Sequence, residues 1–69
     1  MDETEHIVGQ AIACTLTVLQ TAPEHLDAAR AGLARLRNNL LLGVPDHPAL
    51  ERLRWFLVEL ELRASRAIH

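Results

Sequence analysis

At 69 residues the chain has room for a single small domain, residues 1–69, near the lower limit at which one hydrophobic core stabilises a fold unaided. A lone cysteine, Cys14, excludes an internal disulfide, and His6, His25, His47 and His69 are too dispersed for a zinc-ligand pattern; no metal or cofactor is expected, and a protein partner or second copy is the remaining supplement to so small a core. The net charge of −2, with all 7 basic residues Arg and interleaved with Asp and Glu, excludes the basic stripe that displaces counterions from nucleic acid.

The first segment reads as a helix over about residues 3–20. Ile7, Val8, Ala11, Ile12, Cys14, Leu16, Val18 and Leu19 fill roughly half a helical circumference, and His6, Gln10, Ala13, Thr17 and Gln20 gather on the other half. Several of these residues are β-branched and favour strands, but a lone strand in an otherwise helical chain has nothing to pair with. The apolar run Ile7 to Leu19 is interrupted by Gly9, Gln10, Thr15 and Thr17, and falls short of the roughly 20 residues that span a bilayer. The opening Met1-Asp2-Glu3-Thr4-Glu5 is acidic where a signal peptide is basic, so a cytoplasmic location is expected. Cys14, on the apolar face with no neighbouring base, is expected to be buried and inert.

Thr21-Ala22-Pro23-Glu24 has the spacing of a capping box, with Pro23 early enough that its missing N–H is harmless, so the second helix is expected over about 22–42. Leu26, Ala29, Leu33, Leu36 and Leu40 step 3, 4, 3, 4 along it and define one seam. A second face carries Ala28, Ala31, Gly32 and Ala34, with Asn38 and Leu42 toward the end. Such a face is either a solvated Ala-rich surface or a place where another helix approaches closely; Ala31 and Leu42 are candidate contacts on it.

In Gly43-Val44-Pro45-Asp46-His47-Pro48, Gly43 suits a left-handed helix end, Pro45 prevents continuation and Asp46 is placed to cap the next start, giving a third helix over about 47–67. Its ladder is Leu50, Leu53, Leu57, Leu60, Ala64 and Ala67, and the two matching ladders predict an antiparallel helical hairpin. With the N-terminal helix added, the expected fold is all-α, a small three-helix unit. The third helix also has a second apolar stripe, Trp55, Val58 and Leu62, roughly opposite the ladder and flanked by Arg52, Arg54, Glu59 and Glu61. Either the first segment folds over this stripe or the stripe is an exposed contact patch, and the three residues are candidate interface anchors.

Catalytic patterns do not accompany these helices. Glu59 and Glu61 point to different sides of a helix, no Gly-rich phosphate loop is present, and so small a chain cannot readily enclose a cleft, so no enzyme activity is expected. The Gly43 to Pro48 connection is longer than a helix-turn-helix turn, and the third helix is apolar where a recognition helix is polar.

The stretch Leu26 to Gly43, with its Pro-containing turn and the following Leu50 to Ile68, resembles the small "E" co-chaperones of bacterial type III secretion, which share this length and an Arg/Ala/Leu-rich second helix ending in a Gly-containing turn. The resemblance covers about residues 24–68. It implies a cytosolic, non-catalytic protein that pairs with a tetratricopeptide-like "G" chaperone, the two holding the needle subunit monomeric before export. Ile7 to Leu19 is more apolar than that family's N-terminal segment, in keeping with a third packed helix or self-association. The alternative from a different class is a self-associating, homodimeric helical regulator of phage or plasmid type.

Overall fold

A computed structural model describes residues 2–67 as three α-helices, α1 (Glu3–Thr21), α2 (Leu26–Gly43) and α3 (Ala49–Ala67), with a one-turn 3₁₀ helix, Pro23–His25, leading into α2. The side chain of Ala67, last rung of the third ladder, lies outside the described residues, as do Ile68 and His69. The fold is all-α: α2 and α3 form the hairpin, and α1 packs along it. Near one end Asp2 and Glu5 of the N-terminal region meet His47 and Arg52, while near the other Leu19 approaches Arg63, so α1 runs in the direction of α3.

α3 sits at the centre of the packing. Val8 and Leu19 of α1, Leu33 of α2, and Ala49, Leu53 and Leu60 of α3 form the buried cluster, with Ala11, Ile12, Leu26, Leu36, Leu40, Phe56 and Leu57 packed against it. The ladders thus do what their spacing predicts: Leu33, Leu50, Leu53 and Leu60 are buried, and Leu36 and Leu57 are partly so. The whole molecule measures 39 × 19 × 15 Å, a slab only about two helix diameters across, which is why so few side chains are fully enclosed.

The α2 helix begins at Leu26 rather than 22, a 3₁₀ turn over Pro23–His25 taking its expected first turn. The capping residues depart from the sequence expectations at three points, each for a local reason. Thr21 does not cap α2, because α1 continues through it; its hydroxyl instead donates back to the carbonyls of Thr17 and Val18, and the chain breaks at Ala22 with φ −141°. Gly43 is not left-handed. It is the last residue of α2 at negative φ, and the chain leaves through Val44, whose N–H donates to the Leu40 carbonyl at 2.7 Å. Asp46 does not cap α3 either: His47 does so, its Nδ1 accepting from the Ala49 N–H at 3.0 Å. The start moves from 47 to 49 because a residue before proline is disfavoured from the helical region, which keeps His47 out of the helix.

These corrections change what two substitutions should do. Thr21→Ala, which would remove about 1 kcal/mol from a true N-cap, should alter stability by less than about 0.5 kcal/mol, since an exposed back-bonded Thr is no helix cap. Gly43→Ala should stabilise by about 0.4–1 kcal/mol, because its φ is already helical, an added Cβ meets nothing within 4 Å, and Ala narrows the unfolded ensemble. Urea denaturation of the two variants checks the size of the first effect and the sign of the second.

Candidate protein interface

α3 has a second face because its apolar residues outnumber the positions that its own seam can bury. The seam turns Leu53 and Leu60 inward, and helical geometry then places Trp55, Val58 and Leu62 on the outside. Their exposures are 62%, 38% and 46%, so α1 does not cover them. It packs on another side of α3, where Glu5 holds Arg52 in an ion pair. Of the two arrangements the sequence allowed, the stripe is the open one.

Beside the stripe runs a groove of about 430 Å³ between α2 and α3. Ala31 and Ala34 line it from α2, and Leu57 and Val58 from α3, so Val58 belongs to both the groove and the stripe. The small side chains of α2 keep it open. Charges rim it: Arg30 lies 3.9 Å from Asp27, and Arg54 lies 3.5 Å from Glu51 with its guanidinium 5.7 Å from the centre of the Trp55 ring. Glu61 lines the same side as Arg54, and the Arg37 Nε is buried there without a hydrogen-bond partner.

Of the five sequence candidates, Ala31 joins Val58 across the groove and Trp55 and Leu62 complete the stripe, but Leu42 stands apart. It is 87% exposed and sits 11 residues beyond Ala31, about 16 Å along the helix.

Two features escaped the sequence. The first is on α1, whose inward positions are Val8, Ala11, Ile12, Thr15 and Leu19, leaving Ile7, Leu16 and Val18 as exposed flanks. Cys14 lies with Ile7 and Val18 and is exposed, not buried, because a half-circumference of apolar residues is wider than two neighbouring helices can cover.

The second is a latch at the end of the bundle where α1 and α3 begin. Asp2 caps α1 through Oδ1, which accepts the Thr4 N–H at 3.1 Å, and its Oδ2 meets His47 Nε2. Since His47 Nδ1 accepts from Ala49, its proton is assigned to Nε2, which donates to Asp2; one imidazole thereby ties the start of α1 to the start of α3. Asp-x-x-Glu at residues 2–5 was the local signal for the α1 cap, whereas the partner 45 residues away had none.

The hydrogen bond from His47 is the main reason that the Asp2 carboxyl is held below its ordinary value of 3.8, with partial burial opposing and the N–H groups of Glu5 and Thr4 assisting. A depressed carboxyl stabilises the fold above its unfolded pKa, and that contribution disappears as pH falls through the folded value. Asp2→Asn should therefore melt below the wild type at neutral pH, and the two melting temperatures should converge as pH falls below about 3.8. Parallel thermal melts across acid pH test this; a constant gap would remove the carboxylate from the account.

Among the described residues no three His, Cys, Asp or Glu side chains converge as metal ligands would, and no helix is long and apolar enough to cross a membrane. The chain matches no protein-family model, no curated protein and no solved structure.

Proposed function

We propose that this chain is a non-catalytic helical interaction protein that docks a helix along α3, anchored by Trp55, Val58 and Leu62, with Ala31 on the adjoining groove wall. The observation that carries this reading is the exposed Trp55, in line with two further apolar side chains on a helix whose opposite face is already committed to the core. Large aromatic residues are the commonest energetic anchors of interfaces, and a helix lying on a small-residue groove can approach closely.

In the form suggested by the resemblance to type III secretion "E" co-chaperones, the partner is a cytoplasmic tetratricopeptide-like chaperone, whose concave solenoid surface would receive the α3 face while the needle subunit is held monomeric. The chain has one Trp, so its emission reports on this face alone. Titrating the full chain with such a chaperone, alone and loaded with needle subunit, should shift Trp55 emission to the blue as the ring leaves water. Binding without any change in emission would put the interface elsewhere. The second reading, a homodimeric regulator, is favoured by the charge pattern along α3.

A further inference from the structure

The exposed face of α3 is complementary to itself. We propose that its occupant is α3 of a second copy, packed antiparallel about a two-fold axis at Val58; this rests on reading the Trp55 stripe as the docking face and names what docks there.

Val58 is the middle residue of Ala49–Ala67, so an axis at that point overlaps the two helices along their full length. In that register Trp55 stands within one residue of Leu62 of the second copy, Arg54 within one residue of its Glu61, and Glu51 within one residue of its Arg66. One residue is only about 1.5 Å of helix rise, well inside the reach of these side chains. Each pairing is apolar with apolar or positive with negative. A two-fold axis perpendicular to antiparallel helices also keeps each flank on its own side. Arg54 and Glu61, which line the same groove, therefore face Glu61 and Arg54 of the second copy.

The arrangement uses charges that the monomer leaves incompletely engaged. Arg54 reaches Glu51 only at 3.5 Å. Against these, Glu59 lies one residue past the axis on the opposite flank, near its own symmetry mate, a like-charge approach in this register with Arg63 four residues on as the nearest opposite charge. A helix from an unrelated partner would have no reason to meet this pattern, whereas a second copy meets it by symmetry.

Charge reversal separates the two cases. In sedimentation equilibrium the full chain should dimerise, Arg54→Glu and Glu61→Arg should each weaken the dimer by about tenfold or more, and the double reversal should return to within about threefold of wild type. In a Cys14→Ser background, Val58→Cys should oxidise to a covalent dimer while Ala28→Cys, which borders α1 beside Cys14 and Val18 and lies outside the groove next to the stripe, should not. A chain that stays monomeric at every accessible concentration, or a double reversal no tighter than either single, overturns the proposal. A monomer whose Trp55 emission still shifts with the chaperone defeats self-pairing but leaves the docking face standing. A dimer indifferent to Trp55→Ala defeats both.

Discussion

Leu53→Ala should lower the free energy of unfolding by about 2–5 kcal/mol. Leu53 is 0% exposed and belongs to the cluster where α1, α2 and α3 meet, together with Val8, Leu33 and Leu60. Truncation removes the transfer energy of the buried atoms and leaves a cavity that neighbours on three helices cannot all collapse into. A chain of this size has only about 3–10 kcal/mol to lose, so the substitution should remove a large fraction of its stability. Leu60→Ala should behave alike, while Leu36→Ala and Leu57→Ala, at half-buried positions, should lose less. Urea unfolding followed by far-ultraviolet circular dichroism decides it. A Leu53→Ala midpoint indistinguishable from wild type would mean that the seam between α2 and α3 is not the core.

The hairpin could be read from sequence because a 3, 4 spacing of leucines admits one packing solution, a seam facing another seam, and Leu33, Leu53 and Leu60 had nowhere else to go. α1 was readable as a helix but not as a packed one. Its apolar residues cover more circumference than its two neighbours can bury, so periodicity could not say that Val8 and Leu19 turn inward while Ile7, Cys14 and Val18 do not. The capping motifs misled for a different reason. Thr21-x-x-Glu24 and Gly43 are short patterns that assume a helix boundary already fixed, and the extension of α1 through Thr21 and of α2 through Gly43 took those residues first.

The stripe on α3 was visible as a pattern, and only its exposure awaited the structure. Whether α1 would lie over Trp55 depends on which side of α3 it takes. That choice goes with long-range contacts, the Glu5–Arg52 pair and the Asp2–His47 latch among them, which leave no trace in any local window.

Trp55→Ala should weaken association along α3, with a helical partner or a second copy, by about 2 kcal/mol or more, roughly thirtyfold in dissociation constant, while leaving helix content nearly unchanged. The two halves of this expectation come from the same number. A side chain 62% exposed in the free chain contributes little to folding, yet it has a large apolar surface still to remove from water on binding. The fold loses the packing of the covered part of the side chain and the Arg54 contact with the ring, a cation–π interaction worth about 0.5–1 kcal/mol at an exposed site. Arg66→Ala should cost less, because each exposed ion pair at the rim contributes between nothing and about 1 kcal/mol. Sedimentation equilibrium for self-association or titration calorimetry with the proposed chaperone partner, beside circular dichroism of the free variant, measures both quantities. Unchanged association with collapsed helicity would return Trp55 to the core and leave α3 without a docking face; unchanged association with intact helicity would make the stripe an idle surface.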